Sequence, residues 1–215
     1  MSKTTTDEIV SALTRSIVNR RLMPGAKLAE QQLADHFNVS RTIIRQALHQ
    51  LSQKHLIRME HSRGAFVSTP SVEESKQVFE VRRMLEIGMV QELAQRINLS
   101  DIEFLKNYLN SEAEAVSAHG DTLDRNEFLD GFHVLLAKIL NNDALTQTLR
   151  ELILRCALIS LMYKPERAQQ DTVNYHEAII NALINKDGRT ASKLTQLHLE
   201  HVESSLVYTD DPIMS

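Results

Sequence analysis

Between Gln31 and Ser52 the chain reads QQLADHFNVSRTIIRQALHQLS, and this stretch constrains the protein more than any other. It describes two short helices joined by a tight turn. Leu33, Ala34 and Phe37 give the first an apolar face. Asn38 suits the left-handed backbone that a sharp turn requires. Ser40 is a good N-cap for the second helix, because its hydroxyl accepts from amides that the first turn leaves unpaired. At about 100° per residue, Ile44, Ala47, Leu48 and Leu51 fall on one stripe. Thr42, Arg45, Gln46 and His49 fall opposite, with Arg41 on the shoulder. A helix with a packed back and an exposed face of Arg, Thr and Gln suits the DNA major groove, where forked guanidinium donors match guanine acceptors and phosphates. The same pattern also fits a plain helical hairpin with a solvated polar face.

The flanking sequence favours the DNA reading. In LIRMEHSRGAFVS, Leu56 to Ser68, Ile57 and Met59 alternate with polar residues, as do Ala65 and Val67. His61-Ser62-Arg63-Gly64 lies between, a hairpin pattern with glycine in the turn. Two helices followed by a basic-tipped hairpin predict a winged helix-turn-helix. On these residues, LMPGAKLAEQQLADHFNVSRTIIRQALHQL followed by SRGAFV, the chain resembles the DNA-binding domain of the GntR family of bacterial transcription regulators. The resemblance implies that Arg41, Thr42, Arg45 and Gln46 on the recognition helix meet a double-stranded operator, joined by His61, Arg63 and Gly64 at the wing tip. Where many members carry Pro-Val-Arg-Glu-Ala-Leu, this chain has Ile43-Ile44-Arg45-Gln46-Ala47-Leu48, which keeps the arginine.

Charge is divided unevenly. Residues 1–70 carry ten Lys or Arg against five Asp or Glu, a net of +5, whereas residues 71–215 carry fourteen against twenty-three, a net of −9. A basic nucleic-acid module fused to an acidic domain has this profile. The single cysteine, Cys156, excludes an intramolecular disulfide framework and fits a reducing cytoplasm. No apolar run approaches the roughly 20 residues of a membrane span, and Met1–Asp7 is polar, unlike a signal peptide. A cytoplasmic protein without membrane contact is expected.

The rest of the chain reads as helix. Asp7–Arg21, with Val10, Leu13 and Ile17 on one face, should support the helix-turn-helix. Pro24-Gly25 breaks the chain, and Ser68-Thr69-Pro70-Ser71 marks the expected boundary between a winged domain (1–70) and an effector-binding and dimerisation domain (71–215). Helices are expected near 72–97, 101–118, 122–140, 143–162, 166–185 and 188–207. With only six glycines and four prolines in the chain, the fold class is mainly α, the second domain being an all-α antiparallel bundle. Glu80-Val-Arg-Arg-Met-Leu-Glu86, Phe132-His133, His176-Glu-Ala-Ile-Ile-Asn-Ala-Leu183 and Leu197-His-Leu-Glu-His201 resemble the FCD effector domain of the FadR-type branch of the GntR family.

Three histidines sit on faces expected to be dry. His133 shares its side with Leu129, Phe132, Leu136 and Leu140; His176 lies in line with Val173, Ile180 and Leu183; His198 with Ala191, Leu194 and Val202. Each buried imidazole needs a polar partner, and convergence on a divalent transition metal such as zinc, nickel or manganese supplies all three at once. The FCD resemblance implies such a site, with an aspartate one turn before the first histidine. Leu129 holds that position here. Asp130, on the shoulder, and Asn126, two turns back, are the remaining oxygen donors. A metal-free polar pocket is the alternative. Arg82 lies within the stripe Val78, Val81, Leu85, Met89 and Leu93, and a buried arginine needs an anion: either Glu86 or a small carboxylate effector. The reading is therefore a homodimeric, ligand-responsive repressor on a palindromic operator. Its alternative is a DNA-tethered, metal-dependent hydrolase using the three histidines, for which no general base is evident.

Overall fold

The computed structural model describes residues 5–119, 131–163 and 171–208. In the N-terminal part, α1 (Thr6–Val18) is opened by a capping box in which Thr5 and Glu8 each satisfy the other's backbone amide. It buries Ile9, Val10, Leu13 and Ile17. It stops short of the expected Arg21 because Arg20 takes a left-handed conformation, φ 59°. α2 (Glu30–Phe37) ends at Asn38 in the left-handed region (φ 52°, ψ 47°). Ser40 then caps α3 (Arg41–Gln53), accepting from the Ile43 amide. Ile44, Ala47, Leu48 and Leu51 are fully buried under α3, whereas Arg41, Thr42, Arg45, Gln46 and His49 are exposed.

The hairpin forms as β2 (Ile57–Glu60) and β3 (Gly64–Val67), antiparallel, with Ile57 opposite Val67 and Met59 opposite Ala65. The sheet has a third strand that the sequence did not reveal, β1 (Lys27–Leu28), paired with the other edge of β3. Two residues carry no readable alternation; the unpaired edge of β3 recruits them. Met59 shares a face with buried Ala65 yet is 48% exposed.

Beyond Ser71, all regular structure among the described residues is helical: α4 (Val72–Arg96), α5 (Leu99–His119), α6 (Phe132–Ile139), α7 (Asp143–Tyr163), α8 (Asp171–Ile184) and α9 (Gly188–Ser204). Ser71 and Glu74 form a capping box on α4, and Asp187 caps α9. α9 lies tightly along α4. A Cβ placed on Gly188 would stand 3.2 Å from the Gln91 carbonyl oxygen, and the Ser192 hydroxyl donates to the Ile87 carbonyl. The expected helix over 122–140 is not continuous. Gly131 is extended (φ −68°, ψ −178°) and α6 begins only at Phe132, consistent with glycine's weak hold on helical backbone.

The stripe on α4 is also displaced. Val81 is 41% exposed, while Phe79, Arg82, Glu86 and Val90 are buried. At about 100° per residue the buried arc is centred between Arg82 and Glu86, with Val81 roughly 130° from its middle. α4 is clasped by α9 on one side and by α6 and α7 on the other, so its dry face is wider and rotated.

α7 serves both parts of the molecule. Leu149, Leu152, Cys156, Ile159 and Met162 face the bundle core. Leu154, Ala157 and Leu158 join the core of the winged head, beside residues of α1 and α3. The Tyr163 hydroxyl at its end donates to the Pro70 carbonyl (3.0 Å), tying the connecting segment down.

Candidate DNA interface and candidate metal centre

The α3 face carries two arginines one turn apart, and both lean on a single carboxylate. Arg41 Nη2 donates to Glu30 Oε2 (3.0 Å), and Arg45 Nε donates to both carboxylate oxygens (2.8 and 3.0 Å). Glu30 is the first residue of α2, so the contact joins the two helices of the motif. Burial alone would raise its pKa, but the two guanidiniums hold it below the ordinary carboxylate value. At the wing tip His61, Ser62, Arg63 and Gly64 are exposed. Ser62 (φ 60°) and Gly64 (φ 100°) turn the chain. Arg63 pairs with Glu60 and lies over the Phe66 ring. Every DNA-site residue expected from sequence is exposed, on α3 or at the wing tip. The structure adds Glu30, which sequence reading missed; an acidic residue so near a basic face gave no sign of whether it pairs inward or meets solvent.

Inside the bundle, α6, α8 and α9 bring His133, His176 and His198 together. One ligand atom from each lies within 4.8 Å of the others. His176 and His198 are buried and His133 nearly so. His133 Nε2 and His198 Nε2 are 3.2 Å apart. Phe132 stacks on the His176 ring at 4.0 Å between centroids, and the His133 and His198 rings stack at 5.1 Å. Burial, followed by the neighbouring imidazoles and Arg82, holds the His198 pKa well below the usual histidine value. Burial also holds His133 down, against the pull of Glu86. Both shifts favour the neutral imidazole, the form in which histidine ligates metals.

Glu86 supports the cluster from α4. It is fully buried, with Oε2 2.5 Å from His133 Nδ1. Oε1 accepts from Arg82 Nε at 2.6 Å. Arg82 Nη1 also reaches Cys156 Sγ on α7 at 3.5 Å. Burial would raise the Glu86 pKa, but Arg82 and then His133 overcome it and hold the group at about 2. Arg82 has found its protein anion, one of the two partners anticipated from sequence. Its Nη2 has no hydrogen-bond partner among the described residues. The contact of Glu86 with His133 was not foreseen, since it crosses from α4 to α6.

The donor set fits a transition metal. Ligand nitrogens at roughly 2.0–2.1 Å from an ion stand roughly 3–3.5 Å from one another, so the His133–His198 pair is already at ligand spacing and the third imidazole needs only a small approach. A carboxylate behind a ligating histidine is the usual orienting partner. Asp130, Asn126 and Leu129 lie outside the described residues.

An exposed arginine-bearing helix and wing are joined through a shared helix to a bundle enclosing a polar cluster, an architecture that suits a two-domain DNA-binding regulator. The family model for bacterial regulatory proteins of the gntR family matches residues 5–67, and that for the FCD domain matches residues 77–201. The chain belongs to the GntR family of transcription regulators, with an FCD domain following the winged head. It is 29% identical to the HTH-type transcriptional regulator LutR of Bacillus subtilis, covering 88% of this chain and 95% of that one. It is 28% identical to the galactonate operon transcriptional repressor of Escherichia coli, covering 90% and 93%. The crystal structure of a GntR transcriptional regulator from Rhodococcus sp. RHA1 superposes with a TM-score of 0.80 over 93% of this chain and 95% of that one, at 24% identity, and so shares the fold. Among the described residues no helix is long and apolar enough to cross a membrane.

Proposed function

We propose that the protein is a cytoplasmic, homodimeric repressor whose FCD domain binds a small carboxylate through a divalent transition metal and thereby releases a palindromic operator. His133, His176 and His198 would hold the ion, with zinc, nickel or manganese the candidates; Asp130 would be a fourth ligand, through oxygen, and Asn126 an effector contact. The bound ion supplies a Lewis-acid anchor for a carboxylate. Arg82 steadies Glu86 through Nε and keeps Nη2 for the effector. Arg41, Thr42, Arg45 and Gln46 in the major groove, with His61, Arg63 and Gly64 at the wing, would read the operator. A dimer follows because one short recognition helix reads few base pairs.

The observation that carries this reading is the convergence of three largely buried imidazoles, one ligand atom of each within 4.8 Å of the others. Coupling has a physical route as well. Arg82 touches Cys156 on one face of α7, and the opposite face of α7 packs in the core of the DNA head. A shift of Glu86 or Arg82 on ligand binding would reach the head through one helix. The hydrolase alternative is not carried forward: the family is one of regulators, not enzymes, and Glu86, held ionised by Arg82, is a poor general base.

Mass spectrometry of freshly purified protein, native and then denatured, tests the proposal. The expected result is a dimer carrying one metal equivalent per chain, with or without a small organic acid, and both lost on denaturation. Protein carrying well under one equivalent, and unresponsive to added zinc, nickel or manganese in a melting assay, overturns the metal; a monomer overturns the dimer.

A further inference from the structure

Glu30 grips both exposed arginines of the recognition helix from the neighbouring helix. Ion pairs at so exposed a surface contribute little to stability, and Arg41 and Arg45 remain 56% and 62% exposed while Glu30 is 20% exposed. The arrangement is better explained by what it does to the arginines. Arg45 has its Nε edge on the carboxylate, which biases the guanidinium against swinging or turning that edge toward a base. Its Nη1 and Nη2 groups make no hydrogen bond among the described residues. An arginine held by Nε presents those two groups as a forward-facing fork, the geometry that matches guanine O6 and N7. Holding it before binding also spares the entropy of fixing a long side chain at the moment of recognition.

A carboxylate in the midst of the basic face has a second effect. It repels phosphates, so indiscriminate backbone binding is weakened. We propose that Glu30 is a positioning residue for DNA specificity: it orients Arg45 for end-on guanine contact while suppressing non-specific binding. This rests on the assignment of Arg45 to base reading. Glu30 itself need touch no base.

The test uses full-length protein with and without Glu30→Gln, and with Arg45→Ala as control. A duplex bearing the sequence enriched by the wild type from a randomised library is titrated by fluorescence anisotropy against a shuffled duplex, and each variant is also taken through the selection. Loosening one forked contact should lower the ratio of selected to shuffled affinity about tenfold for Glu30→Gln. Its shuffled-duplex affinity should rise, and its enriched sequence should lose definition at the guanines that Arg45→Ala also loses. If E30Q tightens both duplexes in equal proportion, Glu30 merely competes with DNA for the arginines and the inference is overturned. An unchanged ratio with R45A impaired overturns it too, leaving an ordinary surface pair. Wild-type discrimination by R45A overturns the recognition-helix assignment and this inference together.

Discussion

Replacing Glu86 by leucine tests whether the centre of the α4 buried arc is an ion pair that the fold depends on. The substitution keeps an apolar group of similar reach but strands Arg82, 5% exposed and 2.6 Å from its lost partner. Removing one member of a buried pair costs about 3–5 kcal/mol, because the remaining charge is uncompensated. For a chain of this size that is a fall in Tm of roughly 6–20 °C, at about 2–4 °C per kcal/mol. Arg82→Met should cost less, about 1–3 kcal/mol. It leaves Glu86 beside His133 at 2.5 Å, and an imidazole freed from a neighbouring cation takes up a proton more readily to replace the lost charge. The double variant should recover most of the loss, within about 2 kcal/mol of wild type, since apolar replacements of buried pairs are often near neutral. The three variants and wild type form a double-mutant cycle, read by urea unfolding in chelator so that metal loss does not contribute. Costs that simply add, or a Glu86→Leu cost below about 1 kcal/mol, would refute this account of why Arg82 lies inside the bundle.

Four further outcomes are expected. Arg45→Ala should keep the fold and lose about 1–3 kcal/mol of binding to the selected duplex; a wild-type gel-shift titration would sink the recognition-helix assignment. DNA affinity should fall steeply between about 50 and 200 mM salt, since Arg41, Arg63 and their basic neighbours displace counterions, and a flat profile would contradict the basic head. His176→Ala should sharply weaken metal binding and lower the melting temperature to about that of chelator-treated wild type, because an ion bound only by the folded chain stabilises it; a variant that still loads one equivalent removes His176 from the site. Gly188→Ala should destabilise the bundle by about 1–3 kcal/mol, because its Cβ would meet the Gln91 carbonyl at 3.2 Å and the Ala94 methyl at 3.3 Å; unchanged thermal unfolding would mean that α9 yields easily.

The sequence by itself determined the features set by neighbours a few residues away. Asn38 and Ser40 specify the turn and cap of the helix-turn-helix through their own side chains and backbone preferences, and both take the expected roles. The stripe of Ile44, Ala47, Leu48 and Leu51 is a matter of period, as is the apolar siting of His176 and His198. Periodicity marks which residues face inward but not what they meet there. That was left to the packing of distant elements. β1 exists because β3 offers an open edge; Val81 faces out because α4 is clasped on two sides; α6 starts at Phe132 because Gly131 leaves the helical conformation. The pairing of Arg82 with Glu86 was within reach of helical spacing, being one turn apart. The contacts of Glu86 with His133, Cys156 with Arg82, and Glu30 with Arg41 and Arg45 cross between helices. Only the close approach of those helices selects each partner, because a charge or imidazole on an isolated helix has many possible partners of equal chemistry.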